Sequence, residues 1–140
     1  MTDERARIRP FKEVESEFAL RYRETFDAMF GNGEMEPHPE DLFIEHMVGE
    51  EPRAWILVRH TKGEWYIAWG GVLPKYRGLG GRYFLHALDV MAQMDRGFVR
   101  LITKQANKQM QILALKLGFE ITGAIVGRDG KFEVVFSRRL

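Results

Sequence analysis

The chain has 140 residues, 45% of them hydrophobic, which is enough apolar material for one globular domain with a buried core. Its formal net charge of only +1 provides no long-range field that would favour nucleic acid or an anionic membrane as a partner. The absence of cysteine excludes disulfides, zinc–thiolate sites and a thiol nucleophile. A charged N-terminus and the lack of a long apolar run favour a cytoplasmic location.

The first third of the sequence predicts one strand followed by two helices. A short strand at Arg7–Phe11 is interrupted by a proline, which suits the edge of a sheet. Apolar residues recur every four positions over Glu13–Phe30 and predict an amphipathic helix. A second helix is expected over Pro39–Val48, because a proline and acidic residues suit a first helical turn.

The middle third predicts a β-hairpin that leads through a glycine-rich turn into a helix. The strands are expected at Arg53–His60 and Glu64–Leu73, and the glycines at Gly70 and Gly71 suggest a bulge or a splay in the second strand. Three of the five residues over Arg77–Gly81 are glycine, and a helical apolar pattern follows them. Such a helix N-terminus offers unpaired N–H donors and a positive dipole end, which suit a phosphate group.

The last third predicts a strand, a helix and a final hairpin. The strand at Phe98–Thr103 should lie in the sheet centre, parallel to the strand before the glycine loop, because a helix connects the two. A helix at Lys108–Leu117 precedes a hairpin of Phe119–Val126 and Lys131–Arg138. The expected fold is therefore α/β, with a mixed central sheet of about six strands, a parallel centre and about four flanking helices.

Two motifs resemble those of the GCN5-related N-acetyltransferase (GNAT) superfamily. The stretch Val72-Leu73-Pro74-Lys75-Tyr76-Arg77-Gly78-Leu79-Gly80 is similar to the acyl-CoA loop of the family. Asn107, followed at the family's spacing by Lys116-Leu117-Gly118-Phe119, is similar to its second motif. The match covers roughly Trp65 to Phe136, and it suggests a short and partly degenerate member of the superfamily, of the phage type, with the GNAT fold.

This resemblance implies acetyl-CoA or another acyl-CoA as the cofactor, with its diphosphate on the loop amides. The implied cofactor-binding residues are Val72, Leu73, Arg77, Gly78, Leu79, Gly80, Gly81, Arg82 and Asn107. Arg82 stands where the family has a small residue, and two interpretations are open. It either makes a charge-assisted contact with a phosphate or crowds the path of the coenzyme.

The catalytic groups that the family usually carries are missing from their expected positions. The position of its proton-donating tyrosine, seven residues after the motif asparagine, is Ala114, and the strand before the loop has a carboxylate only at Glu64. Tyr66 and Tyr83 are the other candidate proton donors, although core packing also explains them. His86 is expected to face solvent or cap a helix. The histidines show no metal-ligand spacing, so no metal site is expected.

Three functions remain open from the sequence. The first is an acyl-CoA-dependent N-acyltransferase that moves an acetyl group to a primary amine of a small molecule, a peptide or a modified base. The second is a catalytically degenerate binding or structural protein, similar to phage-encoded, virion-associated members, and the third is a non-catalytic acyl-CoA sensor. Neither nucleic acid nor a membrane is expected as a partner, whereas a homodimer or a protein partner is compatible with the sequence. Glu120 and Glu133 are candidates for lining an acceptor pocket.

Overall fold

A seven-stranded sheet organises the computed structural model, which describes residues 3–21, 37–72, 78, 80–127 and 129–140. The strands are β1 (Glu4–Pro10), β2 (Leu42–Val48), β3 (Glu51–Thr61), β4 (Glu64–Val72), β5 (Phe98–Lys104), β6 (Glu120–Val126) and β7 (Phe132–Arg139). The helices in these ranges are α1 (Phe11–Arg21), α2 (Gly80–Met94) and α3 (Lys108–Lys116).

The sheet has the order β1-β2-β3-β4-β5-β7-β6, and its neighbours are antiparallel except for the central pair β4 and β5. The predicted parallel centre, the β1 edge and the final hairpin are therefore confirmed. The chain crosses from β4 to β5 through α2, as a parallel pair requires. No helix in the described part of the chain combines the length and apolarity needed to cross a bilayer.

Two apolar clusters cover the two faces of the sheet. On one face, α1 packs its phenylalanines against Phe43, Trp55 and Leu57. On the other face, α2 and α3 cover a larger core that includes Trp65 and Leu101. The predicted helix Glu13–Phe30 thus begins two residues early and is seen as far as Arg21, since the residues that follow lie outside the described ranges.

The predicted second helix over Pro39–Val48 is wrong, because Leu42–Val48 forms the strand β2. This strand pairs with β1 on one side and with β3 on the other. The sheet therefore has seven strands instead of the expected six. The described residues contain three helices, whereas about four were expected. With β2, three strands lie between α1 and the glycine loop, where only two were predicted.

The polar residues of β2 explain the error. Phe43 and Met47 are four residues apart, and Glu45 and His46 between them have the charge of a solvent-facing helical surface. In the strand, however, the carboxylate of Glu45 is buried and accepts three hydrogen bonds at Oε1. Arg7 donates two of them, at 2.9 and 2.7 Å, and Arg9 donates the third at 2.6 Å. Ion pairs with two arginines, rather than hydration by solvent, therefore stabilise the carboxylate of Glu45.

Replacing Glu45 by glutamine is expected to lower the free energy of unfolding by about 3 kcal/mol. The glutamine has nearly the same shape, but it leaves the guanidinium groups of Arg7 and Arg9 without their buried counter-charge. Chemical denaturation measures the change. The matched control is Glu50→Gln, because Glu50 pairs with Arg5 at a fully hydrated position, where about 0.5 kcal/mol or less is expected. Equal effects of the two variants would contradict the assigned role of Glu45.

Candidate active site

The sheet opens between its two central strands. β4 and β5 pair only from Glu64 with Phe98 to Ile67 with Leu101, and beyond this point the strands diverge. A bulge at Ala68 accompanies the divergence, because Leu57 pairs with Trp69 whereas Val58 pairs with Ile67. The splay predicted at Gly70 and Gly71 is thus confirmed, whereas the bulge lies two residues earlier, at Ala68. A cleft of about 530 Å³ occupies the opening.

The cleft passes through the sheet, because residues from both faces line it. On the face covered by α2 and α3 the lining includes His46, Tyr83, His86 and Leu113. On the α1 face it includes Trp55, Tyr66, Lys104 and Glu133, whose side chains point away from the larger core because neighbouring strand residues alternate. A largely apolar cleft with a few polar groups is the usual form of a small-molecule site.

Apart from Asn107, the implied cofactor-binding residues that the structure describes lie at the end of β4 and around the start of α2. Val72 ends β4, Gly80 and Gly81 begin α2, and Gly78 has the positive φ of 100° that a glycine adopts without strain. Leu73, Arg77 and Leu79 lie outside the described residues. The helix begins beside the cleft, so its first amides and its positive dipole end lie near the opening.

Arg82 and Asn107 each have a structural partner. The guanidinium of Arg82 is exposed and donates a hydrogen bond to the carboxylate of Glu4 on β1. Asn107 lines the cleft and caps α3, where its Oδ1 accepts a hydrogen bond from the Met110 amide at 3.2 Å. Coenzyme contacts for both residues remain predictions.

The candidate catalytic residues Glu64, Tyr66 and Tyr83, and the position of the missing tyrosine at Ala114, lie in different environments. Ala114 is fully buried in the larger core and does not line the cleft. Glu64 is exposed at the opposite end of β4 from the opening. Tyr66 and Tyr83 line the cleft, on the α1 face and the α2 face respectively. The structure thus brings the two tyrosines together at the cleft and leaves Glu64 outside it.

The hydroxyls of the two tyrosines can both donate a hydrogen bond in the cleft. Burial raises the pKa of Tyr66 above its usual value, so its hydroxyl remains protonated at neutral pH. The guanidinium of Arg100 lies 5.6 Å from the centre of its ring. Tyr83 is only 4% exposed, and its hydroxyl has no hydrogen-bond partner within the described ranges. Each hydroxyl is therefore available to a ligand in the cleft.

A pair of histidines in the cleft was missed by the sequence analysis. The Nδ1 atoms of His46 and His86 lie 2.9 Å apart, within hydrogen-bond distance, and the ring of His46 packs 4.6 Å from that of Tyr83. His86 therefore contacts His46 instead of having the predicted solvent-facing or capping role. The two histidines are 40 positions apart in the sequence, so no local spacing signal connects them. Among the residues described, no group of three His, Asp or Glu could hold a metal ion.

Neither a protein-family model nor a curated protein matches the sequence, but solved structures match the fold. Arabidopsis thaliana Naa50, in complex with the bisubstrate analogue CoA-Ac-MVNAL, is 21% identical with a TM-score of 0.64 over 96% of this chain and 99% of that chain. The ribosomal-protein-S18-alanine N-acetyltransferase from Escherichia coli is 16% identical, with a TM-score of 0.65 over 96% of this chain and 94% of that chain. AAC(6')-Ib in complex with ribostamycin and coenzyme A is 14% identical, with a TM-score of 0.68 over 97% of this chain and 93% of that chain.

These three structures are N-acetyltransferases or coenzyme A complexes, and they are similar to this chain over almost its whole length. The chain therefore has the fold of the GCN5-related N-acetyltransferases, as its two motifs suggested. At these identities the likeness shows the fold alone, so activity and ligand are separate questions.

Proposed function

We propose that the protein is an acyl-CoA-dependent N-acyltransferase that transfers an acetyl group to a primary amine. The observation that carries this proposal is the cleft between β4 and β5, which opens through the sheet beside the start of α2. A long, flexible ligand with an anionic end fits such a site, since its two ends would meet different faces of the sheet. The coenzyme A named with Naa50 and AAC(6')-Ib supports acyl-CoA as that ligand.

The backbone around the cleft suits the pantetheine arm of the coenzyme. Where β4 and β5 diverge, the facing edges of Ala68–Val72 and Ile102–Lys104 no longer pair with each other. Unpaired backbone donors and acceptors need partners, and the arm carries two amides that can bind them. Its diphosphate would lie at the first amides of α2, where a helix N-terminus stabilises negative charge. The thioester would then lie in the opening itself.

The amine acceptor would approach from the α1 face. Glu133 lines the cleft there and is expected to attract a cationic amine, and Tyr66 remains protonated and able to donate a hydrogen bond. The amine nitrogen attacks the thioester carbonyl, a carbon–nitrogen bond forms, and the carbon–sulfur bond breaks. Holding both reactants in one cleft supplies a large part of the acceleration. The structural neighbours act on or bind unlike acceptors, so small molecules, peptides and modified bases all remain candidates.

Calorimetric titration of the protein with acetyl-CoA, and separately with free coenzyme A, tests the proposal. We expect micromolar binding of both, followed by thiol release when a panel of amines is added. Binding without thiol release from any amine would favour the sensor or the degenerate binding protein. An absence of heat at millimolar ligand would overturn the assignment. The proposal includes a single domain over residues 1–140 and a location in the cytoplasm.

A further inference from the structure

The α2 face of the cleft carries a buried polar cluster whose chemistry the coenzyme-binding role leaves unused. It consists of His46 on β2, and Tyr83 and His86 on α2, and all three line the cleft. The side chain of His46 is only 4% exposed, and the pair of Nδ1 atoms at 2.9 Å requires one ring to donate and the other to accept. Glu4 of β1 adds a carboxylate oxygen 3.7 Å from Nε2 of His46.

The carboxylate of Glu4, although beyond hydrogen-bond distance of Nε2 of His46, favours one assignment of donor and acceptor. A lone pair on Nε2 of His46 would face the negative oxygen, whereas a proton on Nε2 is attracted to it. A neutral His46 that carries its proton on Nε2 has a lone pair on Nδ1, so Nδ1 accepts. His86 must then donate from its own Nδ1. The Nε2 of His86 is left with a lone pair, on a half-buried ring that lines the cleft.

We propose that Nε2 of His86 is the proton-transfer group of the acyl transfer, oriented by His46 and Glu4. The inference rests on the proposed function. In the reaction, the attacking amine reaches the opening from the α1 face, forms the carbon–nitrogen bond and loses one proton, through water in the cleft, to Nε2 of His86 on the α2 face. The carbon–sulfur bond breaks, and His86 returns that proton to the departing thiolate. The proton lost by nitrogen ends on sulfur, so the histidine pair finishes unchanged and no other reactant is needed.

The surroundings of His46 disfavour a second proton on its ring. Burial lowers the pKa of His46 below its ordinary value, and the neighbouring His86 lowers it further. Among the charged groups that face His46, Arg82 on α2 and Arg53 on β3 also lower its pKa, whereas Glu4 on β1 raises it. When His86 takes a proton, its hydrogen bond to the neutral His46 and the nearby carboxylate of Glu4 stabilise the positive charge. The cluster would thus replace the carboxylate and the tyrosine that the sequence lacks.

Two measurements test the relay, and the first needs no acceptor. Nitrogen-15 chemical shifts of the histidine rings in the intact protein report which ring nitrogen is protonated. We expect a protonated Nε2 on His46 and an unprotonated Nε2 on His86 near pH 7. The opposite tautomers, or a doubly protonated His86, would overturn the relay whatever the acceptor proves to be.

The second measurement compares His86→Gln with the wild-type protein and with His60→Gln as a matched control. His60 stacks on Trp65 and pairs with Asp95 outside the cleft, so its variant should keep full turnover. We expect His86→Gln to bind coenzyme A within about twofold of wild type, to lose turnover by about 100-fold and to lose the acidic limb of the pH–rate profile. His46→Gln, a positioning variant, should shift that limb.

The outcomes separate the relay from the proposed function. If the wild-type protein neither binds coenzyme A nor releases thiol, the proposed function fails. If the wild-type protein turns over and His86→Gln retains its rate and its pH profile, the relay alone is wrong.

Discussion

Replacement of Thr103 by phenylalanine is expected to weaken coenzyme A binding by at least about 100-fold, or roughly 3 kcal/mol. Thr103 lies on β5, two residues beyond the last pair with β4, and it lines the cleft while being only 7% exposed. A phenyl ring at this position would occupy the space between the diverging strands. Its apolar surface would contact the apolar lining of the cleft, so the fold should be retained.

Two control variants show whether the loss comes from filling the cleft. Thr122→Phe makes the same change on the exposed strand β6, far from the opening, and should bind coenzyme A as the wild-type protein does. Thr103→Ser changes little volume and should also bind. Calorimetry measures all three variants, and circular dichroism checks that each one unfolds cooperatively. Unchanged binding by a folded Thr103→Phe variant would place the coenzyme elsewhere.

The elements with one dominant periodicity could be predicted from the sequence. α2 and α3 have helical apolar spacing, and the final hairpin has its Asp-Gly turn, so the structure reproduces them within about two residues. β2 could not be predicted in this way, since its central Glu45 and His46 are charged or polar. Their partners Arg9 and His86 lie far away in sequence, and only the tertiary structure reveals that buried polar contacts replace solvent.

The same limit applies to the candidate site. The glycines, which act through local backbone geometry, correctly predicted where β4 opens and where α2 begins. The proposed proton-transfer cluster depends on positions that three separate elements, β1, β2 and α2, bring together, and no spacing along the chain encodes that meeting. Because β2 was predicted to be a helix, His46 was not expected in the sheet, and its contact with His86 on the α2 face could not be predicted. A local motif therefore predicts the proposed coenzyme-binding end of the cleft better than it predicts the polar residues at the centre of the cleft.

Gly97→Ala is expected to destabilise the protein by about 3 kcal/mol, which would lower its melting temperature by roughly 10 °C. An alanine Cβ at this position would lie 2.1 Å from the carbonyl oxygen of Gly63. The same oxygen accepts a hydrogen bond from the Phe98 amide at 3.0 Å, and this bond holds the turn between β3 and β4 against the start of β5. The methyl group can be accommodated only if these two backbone segments move apart.

The position matters for the cleft because the two halves of the sheet join through the short pairing of β4 with β5, from Glu64 to Ile67. Separating Gly63 from Gly97 loosens the closed end of this junction, so Gly97→Ala should weaken coenzyme A binding as well as stability. Gly123→Ala is the control, since its Cβ would make only an ordinary contact with Val135 at 3.9 Å. Thermal unfolding and calorimetry measure both effects. If Gly97→Ala proved as stable as Gly123→Ala, the backbone at Gly63 and Gly97 could separate without loss of stability. The pairing of β4 with β5 would then not fix the width of the cleft.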